Sequence, residues 1–295
     1  MINKLAIVGI GLIGGSLARA LRRADAVDEI VGYGRSLSNM KLAVESGTID
    51  RAEVSLANAV EGADLVVLAT PVSAMQATFA ELGPLITEDM VVTDVGSVKV
   101  PLIEAAYEAF GGLFGRYVPG HPIAGKEYSG VRHAEENLFD NHRVILCPEP
   151  DTDDDAVTLV REMWDVAGAE VVLMPAVKHD AILAASSHLP HVLAYNLVDN
   201  LVRRDEHKEI FKYSAGGFRD FTRIAGSDPE MWRDICLANR KAILECLQSY
   251  TQDLDVLMKA IEAGDGDTLL ETFERARHAR EIFIKPNDLD EDDDY

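Results

Sequence analysis

Near its start the chain runs KLAIVGIG and then LIGGSLARALRRA. The first segment is a continuous apolar run of strand length, and the second has the spacing of an amphipathic helix. Between them Gly9, Gly11 and Gly14 form a Gly-x-Gly-x-x-Gly pattern. Gly9 permits a tight turn, Gly11 lets a pyrophosphate approach the backbone, and Gly14 lets helix and strand pack closely. The first helical residues, Leu12 and Ile13, then turn free N–H groups and the positive end of the helix dipole toward that ligand. A strand–turn–helix of this kind commits the start of the chain to parallel βαβ architecture and to a dinucleotide.

The next segments keep the alternation. EIVGYG, ADLVVLATP and DMVVTDVGS read as strands separated by helical patterns, and RYVPGHP, HRVILCPEP and AEVVLMP are further strand candidates. Near-continuous apolar strands imply a sheet buried on both faces. The expected fold is a Rossmann-like α/β dinucleotide-binding domain over residues 1–173. After Pro175 the β signals stop, and an all-α substrate and dimerisation domain is expected over 174–285. Residues 286–295 read as an acidic, disordered tail. A further, βαβ-type regulatory domain at the C-terminus is not expected. Long apolar faces such as HDAILAASSHLPHVLAYNLV cannot be covered within one chain, so a homodimer through the helical half is expected.

With 28 Lys and Arg against 50 Asp and Glu, the formal net charge is −22. Nucleic acid would be repelled. A small anionic substrate would be repelled too, unless a local cluster of cations overrides the field. No apolar run reaches the ~18–20 residues that span a bilayer, so no membrane association is expected. The N-terminal apolar stretch reads as a strand rather than a signal peptide. Three cysteines, odd in number and without metal-ligand spacing, read as reduced thiols of a cytoplasmic protein, and no metal is expected.

Several loops converge on the carboxyl edge of the expected sheet, where ligands bind in such folds. The second strand ends at Gly34, where an acid would bind the ribose hydroxyls of NAD. Arg35 and Ser36 follow, and both can donate to a 2′-phosphate, so NADP is favoured over NAD. Thr70 and Pro71, at the end of ADLVVLATP, join the cofactor-facing set. Ser97, in TDVGSVK, is expected near the nicotinamide end, and it also suits the N-cap of the helix that follows. HPIAGKE, with His121, lies at the same edge and has no helical or strand period. Far along the chain His188 and His191 stand in SSHLPH, and GGFRDFTRIAGSDPEMWRDI contributes Gly216, Arg219, Arg223 and Arg233. Cations and histidines of this density in an acidic chain suit a substrate with more than one carboxylate.

Together GLIGGS, TDVGSVK, HPIAGKE, SHLPH and GGFRDFTRIAGSDPEMW resemble the prephenate/arogenate dehydrogenases of tyrosine biosynthesis, over Lys4 to about residue 285. The resemblance implies NAD(P)-dependent oxidative decarboxylation of prephenate to 4-hydroxyphenylpyruvate, or of arogenate to tyrosine. It implies that His121 accepts the hydroxyl proton and that Ser97 bonds near the reacting hydroxyl. Arg223 would hold a substrate carboxylate, and Glu127, in the same loop as His121, would be a gate or orienting group. His191, in preference to His188, would line the pocket, with Arg219 and Trp232 as further substrate-domain positions. Lys126 departs from the small polar residue many relatives carry, and Gly34-Arg35 departs from the usual acid. Two other readings stay open on sequence: a 3-hydroxyacid or pyrroline-type reductase, and a catalytically silent NADP-binding sensor.

Overall fold

The computed structural model describes residues 2–126, 128 and 130–284. Glu127 and the acidic tail lie outside the described residues. Strands β1 (Ile2–Val8), β2 (Val27–Tyr33), β3 (Arg51–Glu53), β4 (Leu65–Leu68), β5 (Val91–Asp94) and β6 (Tyr117–Val118) form one sheet in the order β3-β2-β1-β4-β5-β6. Every pairing in it is parallel. Helices α1 (Leu12–Arg23), α2 (Leu37–Glu45), α3 (Leu56–Val60), α4 (Val72–Leu82) and α5 (Val100–Phe110) provide the crossovers. This is the Rossmann-like order, whose topological switch lies between β1 and β4. Leu5, Ala6, Ile7, Leu65, Val66 and Val67 are wholly buried, as the uninterrupted apolar runs require of a sheet covered on both faces.

RYVPGHP does not form a single strand. Pro119 has no N–H to donate to a ladder, and the segment divides there. Tyr117–Val118 ends the parallel sheet, whereas β7 (Gly120–Pro122) opens a second sheet in the order β7-β8-β9. There β7 runs antiparallel to β8 (Arg143–Leu146), and β8 runs parallel to β9 (Glu170–Leu173). Between β8 and β9 lies α6 (Asp154–Val166). His121 therefore sits within a strand, opposite Ile145, and not in the loop that its sequence suggests.

From Ala176 onward the described residues are helical, in α7 (Ala176–Leu183), α8 (Leu189–Val202), α9 (His207–Lys212), α10 (Gly216–Thr222), α11 (Pro229–Ala238), α12 (Arg240–Ala263) and α13 (Gly266–Phe283). One π turn, Ala184–His188, joins α7 to α8. Pro190 explains it, because a proline inside a regular α-helix clashes with the carbonyl four residues back, and a widened turn relieves that clash. The described residues divide into two compact units, the first ending at Ala242 and the second beginning at Ile243. The first thus includes the sheets together with α7 to α11. Within the second, α12 and α13 join through Gly264 and Asp265, and Asp265 caps α13 by accepting from Thr268 N–H. No helix among the described residues is long and apolar enough to cross a membrane.

Candidate active site

The glycine loop has the geometry its spacing demands. Gly9 has φ +102°, and a Cβ there would stand 2.5 Å from the Ala69 carbonyl oxygen, so β1 and β4 close on each other only because position 9 has no side chain. A Cβ on Gly14 would meet the Gly9 carbonyl oxygen at 2.4 Å. At Gly11, by contrast, a Cβ would meet nothing within 4 Å. Gly11 is also the N-cap of α1 and offers no side chain to its first N–H groups, which include those of Leu12 and Ile13. Open space in front of an uncapped helix N-terminus fits a pyrophosphate. Thr70 and Pro71 follow the end of β4 beside Gly9, and Thr70 Oγ1 is half-buried against Met75. Arg35 and Ser36 are exposed beyond the end of β2, and Ser36 caps α2 by accepting from Asn39 N–H at 3.3 Å.

Past β5, Ser97 is half-buried but does not cap α5. The cap comes from far along the chain: the Asp180 carboxylate accepts from Lys99 N–H at 2.8 Å and Val100 N–H at 2.9 Å. An anion at this helix end is favoured by the dipole as well. Lys99, wholly buried, pairs with Asp94 and donates to the Gly120 carbonyl at 2.6 Å. Asp94 also accepts from Tyr117 Oη at 2.7 Å. This buried pair fixes the backbone immediately before His121.

His121 is 9 % exposed, and its Nδ1 lies 2.8 Å from Nε2 of His179. The Nδ1 of His179 lies 2.8 Å from Asp180 Oδ1. Among the described residues Nε2 of His121 has no hydrogen-bond partner. Burial pushes the His121 imidazole well below its ordinary value, and the nearby His179, Lys99 and His188 push the same way. The ring is therefore a neutral base at neutral pH.

His188, on the π turn, is 1 % exposed, and its Nδ1 faces Asn239 Nδ2 at 3.1 Å. Burial lowers it to about 4. His191, one turn on, is half-buried, and its Nδ1 donates to the Ser187 carbonyl at 2.8 Å. Its ring stacks on Trp232 at 3.6 Å between centroids and 17° between planes. Trp232 is 8 % exposed, and its indole N–H has no acceptor among the described residues. Asp228 positions this tryptophan: it caps α11 by accepting from Glu230 and Met231 N–H, with Pro229 in the first turn. Burial and the charge of nearby Arg223 lower His191.

His121, His179, His188, His191, Trp232 and Arg223 therefore form one chain of neighbours within the first unit. Arg219 and Gly216 are exposed on α10, the helix that ends where Arg223 begins. Arg233 pairs with its neighbour Asp234 at 2.7 Å, and Lys126 pairs with Glu135. The residues that sequence reasoning missed are His179, Asp180, Lys99, Asp94 and Asn239. Their one signal is the adjacent histidine and aspartate of AVKHDAIL, which read as an ordinary first helical turn.

Comparison with known proteins shows which family the chain resembles over most of its length. A family model described as prephenate dehydrogenase, nucleotide-binding domain, matches residues 17–173. A second, described as prephenate dehydrogenase, dimerization domain, matches residues 175–275. The chain is 39 % identical to a cyclohexadienyl dehydrogenase of Zymomonas mobilis, over 97 % of each. It resembles the crystal structure of a prephenate dehydrogenase of Aquifex aeolicus in complex with hydroxyphenyl propionate and NAD+, with a TM-score of 0.90 and 37 % identity, over 95 % of this chain and 98 % of that one. A Synechocystis arogenate dehydrogenase structure superposes with a TM-score of 0.81 at 31 % identity, over 95 % of this chain and all of that one.

Proposed function

The chain belongs to the prephenate dehydrogenase family, and from that premise we propose how its residues share the work. The enzyme carries out NAD(P)-dependent oxidative decarboxylation of prephenate to 4-hydroxyphenylpyruvate, of arogenate to tyrosine, or of both, in tyrosine synthesis. The observation that carries this reading is a buried, neutral His121 whose Nδ1 is engaged and whose Nε2 is not.

A bound nicotinamide dinucleotide supplies the two-electron oxidant. The chain would hold it with Gly9, Gly11, Gly14 and the start of α1, with Thr70 and Pro71 beside them. Oxidation requires the ring hydroxyl to shed its proton as the C–H electron pair leaves. Nε2 of His121 accepts that proton, for which a neutral imidazole is suited. The ring carboxylate then departs as CO₂, its bonding pair completes the aromatic ring, and the phenolate oxygen this leaves takes back the proton held by His121. Ser97 orients the hydroxyl, and Arg223 holds a substrate carboxylate against the field of an acidic chain. His191 and Trp232 present a stacked wall to the substrate, Arg219 and Gly216 bound its outer side, and Glu127 is assigned the role of gate or orienting group. His188, buried against Asn239, supports that wall from behind. In steady-state assays prephenate, arogenate or both should drive nicotinamide reduction, and Ser97→Ala should slow it. Failure of both substrates would remove the reading.

We read the cofactor preference from the end of β2. Gly34 neither bonds ribose hydroxyls nor repels a 2′-phosphate, and Arg35 and Ser36 can donate to one. These differences amount to about 1–3 kcal/mol, or roughly 5- to 150-fold. NADP+ should be used at least as well as NAD+, and Arg35→Ala should weaken NADP+ selectively. A Cβ at Gly34 would meet only the flexible end of Met40, at 3.3 Å, so Gly34→Asp should fold and turn the preference to NAD+. Strong native preference for NAD+, untouched by Arg35→Ala, would contradict this.

The working form is a homodimer. On the helices of the second unit Leu244, Met258, Ile261, Leu270 and Phe273 are each more than half exposed, and a second copy of the chain would cover them. The match of residues 175–275 to a dimerization domain supports this. Sedimentation at micromolar concentration should give twice the chain mass, and a stable monomer would refute it. Three unpaired cysteines support a reducing, cytoplasmic location.

A further inference from the structure

We propose that His179 and Asp180 are positioning residues that set which nitrogen of His121 carries the proton. The proposal rests on His121 as the proton acceptor and explains why the acceptor is Nε2. Both oxygens of Asp180 accept from backbone N–H groups, Oδ1 from Lys99 and Oδ2 from Val100, and neither donor can reverse its role. The carboxylate therefore presents only lone pairs to His179, and the proton of that contact sits on His179 Nδ1. A neutral imidazole protonated on Nδ1 has a bare Nε2. That lone pair faces His121 Nδ1 at 2.8 Å, so His121 carries its proton on Nδ1 and donates. Nε2 of His121 is left as a lone pair without a partner among the described residues.

When Nε2 takes the hydroxyl proton, Nδ1–H remains bonded to His179, and the new positive charge is backed through that ring by the Asp180 carboxylate. No proton need pass along the relay. Without it His121 could carry its proton on Nε2, where it could not act as a base. The same Asp180 caps α5, just beyond Ser97, so one carboxylate fixes the neighbourhood of both groups. Asn239 donates to the Asp180 carbonyl at 2.8 Å and faces His188, which anchors the relay to α11 and the π turn. The charged and titratable groups that act on His121 are His179 on α7, Lys99 after β5 and His188 on the π turn, with Asp180 behind His179 and Asp94 behind Lys99.

The test uses the full chain labelled with ¹⁵N-histidine and a long-range ¹H–¹⁵N correlation, with the His121 signals assigned by their loss in His121→Asn. Wild type should show His121 protonated on Nδ1 at neutral pH. His179→Ala should release that preference and lower kcat roughly 10- to 10²-fold, part of what a general base contributes, with little change in KM. His179→Gln, whose amide oxygen can still accept from Nδ1, should recover part of the loss. His121 protonated on Nε2 in wild type would overturn the proposal, as would a His179→Ala enzyme with unchanged kcat and tautomer. The tautomer is read without substrate. It therefore stands or falls separately from the assignment of the reaction.

Discussion

His121→Asn should lower kcat by roughly 10²–10⁴-fold and change KM little, because asparagine fills much of the same space and cannot take a proton. The sign of the pH dependence follows from the burial of the ring. His121 acts only when neutral, so activity is present above its pKa and is lost as pH falls through it. Desolvation, with His179, Lys99 and His188 adding to it, holds that pKa well below the ordinary 6.5 of histidine. The acidic limb of the kcat profile should therefore lie below pH 6.5, and it should vanish in His121→Asn. A variant with near-normal kcat and an intact acidic limb would show that another group takes the proton.

Arg223→Ala should act on binding. A charge-assisted bond to a carboxylate contributes about 1.5–3 kcal/mol, so KM for the substrate should rise roughly 10- to 150-fold. Cofactor affinity should hardly move, since Arg223 lies beside His191 and not at the glycine loop. His191 offers an internal check. The charge of Arg223 lowers its pKa, and that value should rise in Arg223→Ala. Equal losses of cofactor and substrate binding would mark a folding defect instead.

The sheet of the first unit was legible because its signals are local. Glycines at 9, 11 and 14 and uninterrupted apolar strands leave few arrangements other than β3-β2-β1-β4-β5-β6. The second sheet was less so: nothing in GHP tells which way its strand pairs, and the break at Pro119 looks like a minor irregularity within one strand. The site divides in the same way. His121, His191, Arg223 and Trp232 stand out as chemistry-bearing types in distinctive segments. Ser97 reads as a cap because serine before a helix usually is one, but the cap that wins comes from Asp180, 80 residues beyond Val100. The partnership of His121 with His179 spans 58 residues and leaves no trace in spacing. Lys99 is wholly buried because Asp94 and the Gly120 carbonyl satisfy it, and neither partner is adjacent to it in sequence.

On the reading proposed above, this chain couples hydride removal from a cyclohexadienol to loss of its ring carboxylate, with His121 receiving the hydroxyl proton. The direct measurement is the stoichiometry of one reaction mixture: purified enzyme with limiting prephenate and excess NADP+ or NAD+, followed by absorbance of the reduced nicotinamide and by trapped CO₂. One reduced nicotinamide, one CO₂ and one 4-hydroxyphenylpyruvate are expected per prephenate, at a rate that His121→Asn cuts by roughly 10²–10⁴-fold. The same balance, with tyrosine as product, is expected where arogenate is the substrate. Reduction of the nicotinamide without CO₂, or turnover indifferent to His121, would contradict it.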